Sequence, residues 1–256
     1  MIIEDLIEIN RRLSHDLWNV SFIGEEPSGL SPRLIFPKKR IKNKKNEDVK
    51  RISEQEARIL YCNILNNLNY FYSIETPTNE AYKLTGKTGV SALSDLSVYS
   101  YTRKDNVNNS KNNEEKIFFK KMANIELKAH NPAEENICKD IEKIITEGID
   151  GNWFHILKNI DSGTLPSVIK KIYNSIKINF LKNEKISILF CICILEKKWG
   201  MIKHLEYDSS LGKNISTNIE EFFCMDKNNK LNNIDGKNLE AQKDILKNNG
   251  WMIVEQ

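Results

Sequence analysis

Asn124-Ile125-Glu126-Leu127-Lys128 is the stretch on which the reading of this chain turns, because it alternates polar, apolar, polar, apolar, polar. Successive side chains on a strand face opposite sides, so Glu126 and Lys128 share one face, roughly 6.5 Å apart, while Ile125 and Leu127 point into a core. Upstream, Ser94-Asp95-Leu96 lies in a second alternating run. If the two runs pair, the carboxylates of Asp95 and Glu126 come within about 5 Å of each other, the cross-strand distance of a sheet. Two acids and an amine then share one surface, a spacing that suits one or two metal ions.

Working outward, a helix start follows Lys128 directly, with Asn131 as N-cap, Pro132 at the first helical position, and Glu134 and Glu135 in the first turn. This helix is expected to stop at Gly148. Three strands are expected at Ser73–Leu84, Ser91–Tyr101 and Lys116–Ala129, the first two joined by a Gly86-Lys87-Thr88-Gly89 turn. The polar, Asn-rich run from Thr102 to Glu115 is too polar to hold a core and reads as a hairpin tip. Before the strands, a helix runs from Ser53 to about Tyr72, burying Ala57, Leu60, Ile64, Leu68 and Phe71.

The ends follow the same logic. Ile2, Leu6, Ile9, Leu13 and Leu17 recur at helical spacing over residues 1–20. From Gly24 to Arg51 the pattern breaks at Pro27, Gly29, Pro32 and Pro37, then turns basic at Lys38, Lys39, Arg40, Lys42, Lys44 and Lys45, which reads as a linker. Later come a helix over Leu165–Leu181, strands at Ile186–Glu196 and Trp199–Tyr207, a helix near Leu239–Lys247 and a short apolar run, Trp251–Val254. The expected class is α/β (α+β), a central mixed sheet flanked by helices, with 1–52 as N-terminal helix and basic linker, 53–207 as core and 208–256 as an extension packed on it.

A chain of 256 residues holds one substantial core. Its formal charge of +3 and pI near 8.4 permit a polyanionic partner without demanding one. Roughly thirty Asn, well above the usual share, accompany abundant Lys and Ile throughout, so local Lys and Asn runs are discounted. Five scattered cysteines, Cys62, Cys138, Cys191, Cys193 and Cys224, argue against a disulfide framework and for a reducing, cytoplasmic setting. Glu4, Asp5 and Glu8 interrupt the first helix, unlike a secretory leader. The longest apolar run, Ile186–Leu195, is too short to span a bilayer.

The order helix, strand, strand, strand, helix, strand, with Asp95 on the second strand and Glu126-x-Lys128 on the third, resembles the PD-(D/E)XK nuclease superfamily over roughly residues 53–196. Ser94 stands where that pattern has Pro. The resemblance implies a restriction-endonuclease-like αβββαβ core, Asp95 and Glu126 as ligands of Mg²⁺ with Mn²⁺ as substitute, and Lys128 as the residue that positions or activates the attacking water. It further implies a metal-dependent nuclease, DNA favoured over RNA, with restriction or defence as setting and a homodimer or partner protein as an open question. The chemistry is coherent in itself: Mg²⁺ takes oxygen ligands and keeps several waters, and an amine beside it stabilises charge developing on a phosphate. The competing reading makes Glu126 and Lys128 the solvated face of an edge strand, and the chain a nucleic-acid-binding or assembly module that does not cut, or cuts only when a partner activates it.

Glu56 is a third acid from the first core helix, or else the partner of Ser53 in a capping box; Glu75 rivals it. His130, two residues beyond Lys128, is placed to touch substrate. Lys139 and Lys143, four apart on the following helix, and Lys38, Lys39 and Arg40 in the basic run are candidate backbone contacts or solvated faces. Trp153, Phe154 and His155 read as packing residues. Gly86-Lys87-Thr88 joins two strands instead of opening a helix, which excludes a phosphate-binding loop. Cys191-Ile192-Cys193 lacks a second ligand pair for zinc, and no Gly-x-Ser-x-Gly elbow is present.

Overall fold

The computed structural model describes residues 3–23, 26, 32–37, 51–82, 90–104, 116–160, 163–180, 185–208, 215–225 and 239–256. Its centre is a seven-stranded mixed sheet in which every strand lies beside its predecessor in sequence. β3 (Phe71–Tyr82), β4 (Val90–Lys104) and β5 (Lys116–Ala129) form an antiparallel meander. β5, β6 (Asp150–Leu157) and β7 (Lys185–Ile194) are parallel, and β8 (Trp199–Asp208) and β9 (Met252–Glu255) return to antiparallel pairing. A separate parallel pair joins β1 (Ser21–Phe22) to β2 (Ile35–Phe36), the latter within what the sequence marks as linker.

Parallel neighbours need a crossover, usually a helix. α3 (Glu134–Thr146) supplies it between β5 and β6, and α4 (Thr164–Phe180) between β6 and β7. Both bury their apolar stripes on one sheet face, where Ile137, Ile141, Ile144, Val168, Ile172 and Ile176 meet Trp153, Phe190 and Ile192. α1 (Ile3–Asn19) and α2 (Glu54–Asn67) cover the other face, where Leu6, Ile9, Leu13, Leu60 and Tyr61 meet Leu96, Ile125, Leu127 and Phe154. α5 (Ile215–Phe222) packs on α4, and α6 (Leu239–Asn248) on β9. The first helix and the last strand are thus integral to the sheet's faces and order. Among the described residues no helix is long and apolar enough to cross a membrane.

Three details differ from the sequence reading. β6 was not expected: every residue from Gly151 to Leu157 is buried, and a parallel strand covered on both faces carries no alternation to read. α2 ends at Asn67, and Asn69 adopts φ 58, a left-handed conformation Asn tolerates. Phe71 therefore leaves the helix for β3, where it is 46% exposed. α3 begins at Glu134 with Ala133 as N-cap, not Asn131. The Asn131 amide is engaged elsewhere, its Oδ1 accepting from Lys171 Nζ at 2.6 Å and its Nδ2 donating to Ser167 Oγ at 3.3 Å.

Two features fix how the layers meet. Buried Asn10 on α1 and Asn152 on β6 exchange side-chain hydrogen bonds of 2.7 and 3.1 Å, and Asn152 Nδ2 also donates to Tyr61 Oη at 3.1 Å. On the opposite face α3 crosses β6 so closely that a Cβ at Gly151 would lie 2.0 Å from Ile144 Cγ2. Only glycine admits that approach.

Candidate functional site

The β4–β5 ladder ends at Leu96 opposite Ile125, while β5 continues along β6 to Ala129. Along this stretch Leu127 and Ala129 direct their N–H groups away from β6, where β4 no longer pairs with them. Carboxylates fill the notch: Leu127 N–H donates to Asp95 Oδ2 at 2.8 Å, and Ala129 N–H to Glu54 Oε1 at 3.2 Å. The strand departure thus draws acids to the strand end, since buried backbone donors need partners. Asp95 Oδ1 also accepts from Arg58 Nη2 at 2.5 Å. Arg58 Nη1 reaches Glu75 Oε1 at 3.1 Å. Glu75 has φ 50 and is skipped in the β3–β4 register between Ile74 and Thr76.

Glu126 and Lys128 project toward α3, as alternation requires. Glu126 is 1% exposed; its Oε2 accepts from Lys143 Nζ at 2.9 Å and its Oε1 has no partner. Lys143 Nζ is also 2.7 Å from Asp140 Oδ1 and donates to the Leu93 carbonyl at 2.9 Å. The second oxygen of Asp140 lies 2.7 Å from Lys128 Nζ. Asp140 therefore bridges the two lysines, and α3 closes over the acids of the sheet.

Burial pushes the Glu126 carboxyl up to about 8; Lys143 opposes that rise, while Asp140 and Asp95 add to it. Burial alone would lower both lysines, but carboxylates outweigh it and leave each raised: Asp140 and then Glu54 beside Lys128, Glu126 and Asp140 beside Lys143. Glu54 is raised by burial, with Lys128 opposing and Asp95 adding. Both lysines are ammonium ions at neutral pH, and Glu126 is the group whose charge is least favoured. A buried carboxylate oxygen without a hydrogen-bond donor calls for a proton or a cation.

Asp95, Glu126 and Lys128 lie near enough to feel one another's charge, but each is held by a different partner, Arg58, Lys143 and Asp140. Glu56 does not reach them: its Oε2 accepts from the Ser53 hydroxyl, and the neighbouring Glu54 is the α2 acid that faces Lys128 and Asp95. His130, at φ 65, donates from Nε2 to the Ile52 carbonyl at 2.8 Å, and its own carbonyl accepts from His155 Nε2 at 2.7 Å. Lys139 is exposed on α3, whereas Lys143 is buried in the site. Lys38, Lys39 and Arg40 lie outside the described residues. Glu54, Arg58 and Asp140 were not singled out from the sequence. Asp140 and Lys143, three apart beside the stripe Ile137, Ile141, Ile144, have the lettering of a surface ion pair.

Among the described residues no three His, Cys, Asp or Glu side chains converge in a group able to hold a metal ion. Arg58 and Lys143 instead stand between the acids. No family model matches the chain, and no curated protein or solved structure matches it significantly.

Proposed function

We propose that this protein is a metal-dependent nuclease that hydrolyses phosphodiester bonds, DNA favoured over RNA, on a core resembling the restriction-endonuclease fold. The observation that carries the reading is the bare Oε1 of buried Glu126, on the strand beside Asp95 and one alternation from Lys128. The donors fit a hard divalent cation in kind, because carboxylate oxygens are what Mg²⁺ and Mn²⁺ take. Asp95 and Glu126 would hold the ion, with Glu54 in support from α2. Such an ion lowers the pKa of a bound water and offsets charge on the phosphate. Lys128, kept cationic by Asp140, stabilises the extra negative charge of the phosphorane and orients the nucleophile. The buried strand floor of Ile125 and Leu127 keeps the two polar side chains in register.

The arrangement also favours a partner-activated form of the same reading. Arg58 holds Asp95, Lys143 holds Glu126, and Asp140 holds Lys128; each must exchange partners before substrate is engaged. Restriction or defence is the setting the resemblance suggests. The test is nicking of supercoiled plasmid and cleavage of single-stranded DNA and RNA with Mg²⁺ or Mn²⁺, comparing wild type with Asp95→Ala, Glu126→Gln and Lys128→Ala. Cleavage by wild type alone supports the reading. Metal-independent binding of nucleic acid without cleavage under any condition would replace it with a non-cutting module.

A further inference from the structure

We infer that the outer part of the β4–β5 hairpin, Ser100–Lys104 paired with Lys116–Lys120, grips double-stranded DNA in its major groove. The inference rests on the nuclease reading above and names the surface that holds its substrate. The ladder runs from Ser100 opposite Lys120, through Tyr101 opposite Phe119, to Lys104 opposite Lys116. Among the described residues no third strand borders this ribbon: β3 begins at Phe71 opposite Tyr99, and β6 joins β5 only from Ala123 onward. Two strands about 5 Å apart, with side chains standing off both faces, have the cross-section that the ~12 Å major groove of a duplex admits.

Charge and exposure agree with that occupant. The paired segments carry Arg103, Lys104, Lys116 and Lys120 and no acidic residue. The segment 105–115 that joins them has Asp105, Glu114 and Glu115 against Lys111, which leaves the hairpin end net positive. Cations at these positions complement phosphates, and each phosphate they neutralise releases counterions. Large apolar groups are on show as well: Tyr101 is 50%, Phe118 47% and Phe119 57% exposed. Apolar contact is how thymine methyls are read from the major groove. Phe71 braces one face of the ribbon at its root, edge-on to Tyr101 and Phe119 with ring centroids 5.1 and 5.3 Å away. Lys121, at the same root, is already held by Glu147 at 3.1 Å and is not counted among the cations for DNA. Asp95 lies roughly 20 Å back along β4 from Tyr101, within the ~34 Å of one helical turn, so a single duplex spans both the ribbon and the acids.

The experiment is fluorescence anisotropy of labelled duplex DNA, and of one of its strands alone, with the full-length chain in EDTA between roughly 50 and 200 mM salt. Expected is duplex binding that Lys116→Gln with Lys120→Gln weakens roughly tenfold, with a log–log salt slope shallower by about 2. Phe119→Ala should weaken binding and leave the slope unchanged. Wild-type affinity and slope in the lysine double variant overturn the inference and leave the nuclease reading standing. Tighter binding of the single strand than of the duplex overturns it in favour of bases stacking on the rings. Self-association in sedimentation that Phe119→Ala abolishes, with duplex binding intact, gives the ribbon to a second copy of the chain instead. A wild type that binds no nucleic acid removes the nuclease reading as well. Wild type should also shield guanine N7, which faces the major groove, from methylation; N7 left reactive in bound duplex overturns the placement even where a variant fails to fold.

Discussion

Asp140 Oδ2 lies 2.7 Å from Lys128 Nζ, so the lysine of the Glu-x-Lys triplet is held from the helix that follows its strand, not from the sheet. The same carboxylate takes Lys143 on its other oxygen at 2.7 Å. Asp140 is accordingly a positioning residue: it fixes the direction of one ammonium and keeps it protonated.

Asp140→Asn tests this. The amide keeps the shape, loses the charge and can accept from only one oxygen, so Lys128 becomes mobile and its pKa falls. Under the nuclease reading, kcat is expected to drop about 10- to 100-fold, the usual cost of losing such a support, with KM little changed. The alkaline limb of the pH–rate profile should move to lower pH, because less Lys128 remains charged there. A uniform loss with an unmoved alkaline limb would mean that Asp140 acts on folding alone.

The metal-free chain should be most stable on a plateau between about pH 4.5 and 6.5, where two opposed titrations offset each other. The Glu126 carboxyl is raised in the fold from 4.5 to about 8, by burial first, with Lys143 opposing and Asp140 and Asp95 reinforcing. A raised folded pKa means that its stabilisation is full below the unfolded value and is lost as pH climbs toward 8. His155 runs the other way: burial lowers it from 6.5 to about 4, the His130 carbonyl opposing and Lys128 adding. Its Nε2 donates to that carbonyl, so the neutral ring belongs to the fold, and stability is lost as pH falls from 6.5 through 4. Urea midpoints in EDTA between pH 4 and 9 give the check. Glu126→Gln should flatten the alkaline side and His155→Gln the acid side.

Legibility followed solvent exposure. The meander β3 to β5 alternates because one face meets a core and the other meets polar groups, and its three strands were legible from that pattern. β6 is covered on both faces, and its Asn152 and His155 interrupt the apolar run from within, so neither alternation nor a clean hydrophobic block marks it. That Asp95, Glu126 and Lys128 share a neighbourhood follows from register, since Leu96 pairs with Ile125; that Arg58, Lys143 and Asp140 each hold one of them does not. Which acid of Ser53-Glu54-Gln55-Glu56 faces the sheet depends on the rotation of α2, which spacing does not set. Lys143 was indistinguishable from its many exposed counterparts until Asp140 and Glu126 were seen around it.

Asn152 links three elements by side chain alone, and its removal has a predictable cost. Asn152→Ala strands the Asn10 amide on α1 and the Tyr61 hydroxyl on α2, both buried. Each polar group left without a partner costs ~1–3 kcal/mol. Asn10→Ala should cost less when introduced into Asn152→Ala than into wild type, since the partner is already gone. Urea unfolding followed by tryptophan fluorescence measures all three variants; additive losses would show that the pair is not coupled.

Gly151 connects the fold to the site through a single contact. A Cβ there meets Ile144 Cγ2 at 2.0 Å, on the same helix as Asp140 and Lys143 and one residue beyond the latter. Gly151→Ala must therefore lift α3 off β6 or rotate it, drawing Lys143 from Glu126. Overpacking of this kind costs ~1–3 kcal/mol. Ile144→Ala, which removes the offending methyl, is destabilising by itself because it opens a cavity, yet in the double variant the two losses should partly cancel. Stability by urea unfolding is the readout. A Gly151→Ala protein with unchanged stability would show that α3 can shift at no cost, and the close crossing would then not be what holds Lys143 in the acid cluster.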